Sequence, residues 1–141
     1  MSVNVLYRTT ARATGGRDGH AATVDGTFNV ELSMPKELGG TGGTGANPEQ
    51  LFATGYAACF IGAMKFVASQ NGLAVPADSA VASTVGIGPR SEGGFGLEIV
   101  LEITLPGVER VHAEELVAKA RLVCPYSIAI HRNVDVKFII V

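Results

Sequence analysis

The sequence predicts an α+β fold in which mostly antiparallel strands pack against one or two helices. Three observations predict it. Residues 97–105 and 134–141 alternate apolar and polar with period two, residues 47–70 form a long apolar stretch with a helix-start signal, and residues 111–122 carry a helical apolar stripe. Read in order, the elements are βββ–α–ββ–α–β. With 141 residues, 17% charged and 47% hydrophobic, the chain is expected to form a single globular domain over 1–141.

Residues 3–14 read as a first strand, with Val3, Val5 and Tyr7 on one face. Gly15-Gly16-Arg17-Asp18-Gly19 is a turn, after which residues 20–24 return as a hairpin partner. Asp25-Gly26 turns the chain again into a third strand at 27–34, where Phe28, Val30 and Leu32 alternate. Residues 35–45, PKELGGTGGTG, are too rich in glycine for a regular element.

Asn47 is a candidate N-cap, Pro48 suits the first helical position, and Glu49 and Gln50 suit the positive end of the helix dipole. The helix that follows is apolar on almost every face, so burial on most sides is expected. Gly72 is a good residue to close it. Strands are expected at 79–88 and 97–105, joined by a loop holding Gly93-Gly94. Pro106-Gly107 turns the chain into the second helix, with Leu116, Val117, Ala120 and Val123 inward and Glu114, Glu115 and Lys119 outward. Cys124 falls at its end because Pro125 disfavours helix in the residue before it. A helical turn at 127–130 and a last strand at 134–141 complete the chain.

A net charge of −2 gives no reason to expect nucleic acid or an anionic membrane as partner. The first residues hold no apolar signal region, and the longest apolar run, interrupted by Lys65, is read as too short to span a bilayer. An intracellular, cytoplasmic protein is expected. There, Cys59 and Cys124 are either two buried hydrophobes or a redox pair, not a static bridge.

Gly40, Gly42 and Gly45 spell G-x-G-x-x-G, but no strand feeds the motif and Glu49 would repel a phosphate. His20, His112 and His131 lack any metal-ligand spacing, so no metal is expected. A reactive thiol needs an electropositive setting. Arg17, in its glycine-flanked turn, is the candidate cation, and Glu49 could grip it in bidentate fashion. The alternative is an exposed arginine and an ordinary helix-start glutamate. Cys124, at a helix end, suits a resolving role better than an attacking one.

Three segments, GGRDGHA (15–21), PKELGGTGGTGANPEQLFATGYAACF (35–60) and VCPYS (123–127), resemble the organic hydroperoxide resistance proteins, the Ohr subgroup of the OsmC-like superfamily. The likeness runs in order over the whole chain. It implies an intertwined homodimer, with sheets wrapped around long central helices, acting as a thiol peroxidase on alkyl and fatty-acid hydroperoxides. It further implies Cys59 as peroxidatic cysteine, Cys124 as resolving cysteine, Arg17 as catalytic arginine and Glu49 as its holder. No bound cofactor is implied; an external dithiol, in the family typically a lipoylated protein, reduces the disulfide. An apolar peroxide pocket is expected from Phe52, Tyr56, Phe60 and Phe95. Where the family commonly has an asparagine and, three residues later, an arginine after CPYS, this chain has Ile128 and His131. Alternatives are a general OsmC-type peroxidase that accepts hydrogen peroxide comparably well, and a thiol sensor without turnover.

Overall fold

The structure, a computed structural model, describes residues 2–141. It has the α+β composition predicted, arranged as two three-stranded sheets and three α-helices among the described residues. The chain forms two compact units, one ending at Pro48 and one spanning Glu49–Val141.

The N-terminal unit is an antiparallel meander of β1 (Ala11–Thr14), β2 (His20–Thr23) and β3 (Asn29–Glu31). Between β1 and β2, residues Gly16–Asp18 make one 3-10 turn, with Gly15 at φ 74° and Gly16 at φ 61°. Gly19 closes it for lack of space, since a Cβ there would sit 1.7 Å from the Thr14 carbonyl oxygen. The Asp25 carboxylate fastens the next turn by accepting from the Thr27 N–H and from the Thr23 and Thr27 hydroxyls. Those bonds, the Thr27 amide first, hold its carboxyl below the usual range. The glycine-rich stretch is tied down more than its composition suggests. Lys36–Leu38 forms a 3-10 turn, and Ala46 bridges Leu32, with Ala46 N–H donating to Glu31 and Ser33 N–H to Ala46.

The first strand is much shorter than the expected 3–14. Residues 2–10 carry no regular element, and Val3, Leu6 and Tyr7 are exposed. A strand needs a neighbour for its amides. Val24 N–H still reaches Thr10, but there the chain turns away at Asp25-Gly26 and offers nothing beyond.

The C-terminal unit is built on α1 (Pro48–Gln70), which begins at Pro48 as the start signal predicts. It ends in a Schellman-type closure, with Gly72 at φ 67° and the Leu73 N–H bonded to Ala68. The hairpin β4 (Ala80–Pro89) and β5 (Phe95–Thr104) turns on the expected Gly93-Gly94, with Pro89 opposite Phe95. The alternation of β5 is realised in full: Ile99, Leu101 and Ile103 have no exposed surface. After β5 come α2 (Arg110–Val123) and α3 (Pro125–Ile130), a crossover long enough for β6 (Val136–Ile140) to lie parallel to β5.

The core gathers Tyr56, Phe60 and Met64 of α1, the inward residues of β5, and Ala113, Val117 and Ala120 of α2. Two expectations need correction. α1 is buried along one stripe (Tyr56, Phe60, Ala63, Met64, Val67, Ala68) and not on most sides; Phe66 is 55% exposed. Within this unit, β5 and α2 supply core partners for that stripe alone. The inward stripe of α2 centres on Val117 and takes Ala113, leaving Leu116 half-buried and Val123 39% exposed. Arg110–Glu114 and Glu115–Lys119 pairs occupy its outer face, as expected. The apolar run read as too short to span a bilayer meets that test by length and composition: α1 has 23 residues, and an 18-residue window of it has a mean hydropathy of 1.5. The burial of Tyr56, Phe60 and Met64 against a sheet marks it instead as the central helix of a globular core.

At the end of α3, Arg132 adopts φ 61° in the left-handed region. For a residue with a Cβ that conformation costs roughly 1–2 kcal/mol.

Candidate active site

Cys59 sits three residues, a little under one turn, beyond the core-facing Tyr56 and immediately before Phe60, on the flank of the buried stripe of α1, so it is only half-buried. Cys124 comes to it from the far end of α2. The Pro125 ring stops that helix, and Cys124 leaves it in an extended conformation, φ −66° and ψ 119°, which turns the thiol back into the core with no exposed surface. The two sulfurs lie 3.5 Å apart and both cysteines are free thiols. Residues 65 positions apart in sequence are thus in contact, the outer one reachable and the inner one sheltered.

Burial pushes the Cys59 thiol up from its ordinary value. The Tyr126 backbone N–H opposes this by donating to the sulfur, and the neighbouring Cys124 adds to the rise. That N–H is available because it belongs to the first turn of α3, where amides have no helical partner, and Pro125 before it has none to give.

A groove of about 330 Å³ opens at Cys59, lined by Gly62, Ala63, Phe66, Val123 and Pro125. Its walls are uncharged and largely apolar. A second group of side chains lies one turn toward the start of α1. Phe52, Tyr56 and Tyr126 form a triangle of rings with centroids 5.7–5.9 Å apart. Gly55 makes room for it: a Cβ there would come 3.0 Å from the Tyr126 hydroxyl and 3.3 Å from its ring. The Tyr56 hydroxyl is hydrogen-bonded to that of Ser127 at 2.7 Å.

The predicted residues therefore divide. Cys59 and Cys124 are brought together. Phe52 and Tyr56 join one aromatic cluster. Phe60 has no exposed surface and packs on Phe138 at 5.4 Å, which makes it a core residue. Phe95 opens β5 at the hairpin tip, 71% exposed, and takes no part in the ring contacts among the described residues. Arg17 lies in the 3-10 turn of the N-terminal unit, and Glu49 in the first turn of α1. The sequence reading missed Phe66 and Val123 as groove walls, and Tyr126, Ser127 and Gly55 as supports. A small residue one turn before a cysteine in an apolar helix was the available signal for Gly55. The role of Tyr126 rests on its backbone and leaves no mark in composition.

A family model described as OsmC-like protein matches residues 40–139. The chain is 54% identical over 132 residues to an organic hydroperoxide resistance protein of Xanthomonas axonopodis pv. citri, covering 94% of this chain and 92% of that one. The crystal structure of the organic hydroperoxide resistance protein OhrB of Bacillus subtilis superposes with a TM-score of 0.88 at 40% identity, over 97% of this chain and all of that one. A putative organic hydroperoxide resistance protein of Vibrio cholerae, solved with captopril in one of its active sites, gives a TM-score of 0.92 at 44% identity, over 99% and 95% of the two chains. With the cysteine pair in contact and likeness of this extent in sequence and backbone, the chain belongs to the OsmC-like family, within its organic hydroperoxide resistance subgroup.

Proposed function

We propose that the chain is a two-cysteine peroxidase that reduces organic hydroperoxides to alcohols in peroxide resistance. The observation that carries this reading is the 3.5 Å contact between a half-buried Cys59 and a fully buried Cys124. The names of its relatives point to the same substrate class. The Cys59 thiolate attacks the outer peroxide oxygen; the O–O bond breaks, the alkoxide takes a proton to leave as alcohol, and Cys59 becomes a sulfenic acid. Cys124 then attacks that sulfur, water departs, and the pair closes to the ~2.0 Å of a disulfide. An external dithiol, of which a lipoylated protein is the proposed source, opens it by exchange and restores both thiols. No metal, haem or flavin enters these steps. The apolar groove at Cys59 suits an alkyl or fatty-acid chain in preference to hydrogen peroxide.

The test is consumption of cumene hydroperoxide and of hydrogen peroxide with dihydrolipoamide as reductant. The reading expects catalytic turnover and a clear preference for cumene hydroperoxide. Equal rates favour the general OsmC-type peroxidase, and oxidation that stops at one equivalent favours a sensor.

Because burial raises the Cys59 pKa, the mechanism needs a cation to restore thiolate at neutral pH. Arg17 is assigned that role and also steadies the departing alkoxide, with Glu49 holding its guanidinium in place. Arg17→Ala should therefore move the alkylation profile of Cys59 to higher pH. A profile unchanged by the substitution removes Arg17 from the mechanism.

The same reading includes a homodimer in the cytoplasm. The exposed apolar side chains Phe66, Val3, Leu6 and Tyr7 support a second copy as their cover. A monomeric mass at micromolar concentration counts against it.

A further inference from the structure

We propose that a cavity walled by α2, α3 and β6, separate from the Cys59 groove, binds a small aliphatic carboxylate. It measures about 320 Å³ and shares no lining residue with the groove at Cys59. The inference does not depend on the peroxidase reading.

The charge of the lining points to an anion. Its charged or titratable members are Arg121, Arg132, His131 and Tyr56, with no carboxylate among them, in a chain whose acidic residues outnumber its basic ones by 13 to 11. Among the described residues, neither arginine nor His131 has an acidic side chain within ion-pair distance. The Arg121 guanidinium lies over the Phe138 ring, 4.3 Å from its centroid. That cation–π contact anchors the guanidinium at the cavity wall, and its fork of N–H donors matches a carboxylate.

The hydroxyls add a further donor. Tyr56 and Ser127 bring two hydroxyl protons, and the bond between them uses one. The other is available to an acceptor in the cavity. Arg132 lines the same space from a left-handed conformation that glycine would adopt without strain. A cation is thus held at this position against its backbone preference, an outlier of the kind found at ligand sites.

The remaining walls choose between anions. Leu122, Ile130, Val134 and Val136 surround the basic groups with apolar surface. Inorganic phosphate would leave that surface without a contact, and a neutral alcohol would leave the arginines without one. An aliphatic chain ending in a carboxylate uses both.

The test is calorimetric titration of the whole chain with octanoate, with 1-octanol and with inorganic phosphate. Octanoate should bind at one per chain, and the other two at least about tenfold more weakly, the scale of one charge-assisted hydrogen bond. Arg121→Gln and Arg132→Gly should each weaken octanoate by about tenfold or more. Arg132→Gly relieves the left-handed strain, so its urea midpoint should equal or exceed that of the parent chain, which excludes misfolding as the cause. Octanoate affinity that survives both substitutions overturns the proposal, since the ligand then sits elsewhere. So do octanol or phosphate binding as tightly as octanoate, and the absence of any octanoate binding.

Discussion

Cys59→Ser removes turnover of cumene hydroperoxide by at least ~10³-fold, the scale on which enzymes lose rate when their nucleophile is deleted. Access and chemistry both single out Cys59. Cys59 borders the groove, whereas Cys124 has no exposed surface and cannot meet a peroxide without rearrangement of the core. A serine hydroxyl keeps the size of the side chain but ionises far too weakly to attack an O–O bond. Cys124→Ser has a different signature. With dithiol limiting, the first peroxide is consumed at a near-normal rate, because the attacking thiol is intact, and the reaction then stops after one turnover with sulfenic acid or its over-oxidised products on Cys59. A dimedone adduct on Cys59 in Cys124→Ser, detected by mass spectrometry and absent from Cys59→Ser, completes the assignment. Full steady-state activity in Cys59→Ser would end the mechanism.

What the sequence made legible follows the range of the forces involved. The β5 alternation and the Gly93-Gly94 turn are local, and both appear as read. The start of α1 at Pro48 and its closure at Gly72 are local too. The errors arise where the outcome depends on a neighbour far along the chain. Val3, Val5 and Tyr7 alternate as a strand does, yet alternation cannot supply the partner that β2 withholds beyond Val24. The apolar surround of α1 overstates its burial because composition records what a helix is able to bury, not how many elements arrive to cover it. The cysteine pair is the opposite case. No periodicity links Cys59 to Cys124, and the resemblance to the family named the pair. The β5–α2–β6 crossover then accounts for it physically, because Ala113, Val117 and Ala120 seat α2 in the α1 core and Cys124, the residue after its end, arrives beside Cys59.

Phe60→Ala lowers the stability of the chain by ~3–5 kcal/mol, the usual cost of truncating a fully buried phenylalanine. Its neighbour Cys59 invites the opposite expectation, that Phe60 lines the peroxide pocket and its loss raises KM. The packing decides between them. Phe60 has no exposed surface, its ring meets Phe138 of β6 at 5.4 Å, and it belongs to the same cluster as Met64, Ile99 and Leu101. Helix geometry explains the contrast, since one residue along α1 turns the side chain by about 100° and carries it from the groove to the core. Against a total stability of about 5–15 kcal/mol, the loss is a large fraction. Urea unfolding at one fixed protein concentration should show a much lower midpoint, with the thermal midpoint down by about 10 °C. Phe60→Leu, which keeps most of the volume, should recover most of the difference. At a temperature where both variants remain folded, KM for cumene hydroperoxide should stay near that of the parent chain, because the groove walls Phe66, Val123 and Pro125 are untouched. A variant with parental stability and a KM raised severalfold would return Phe60 to the pocket.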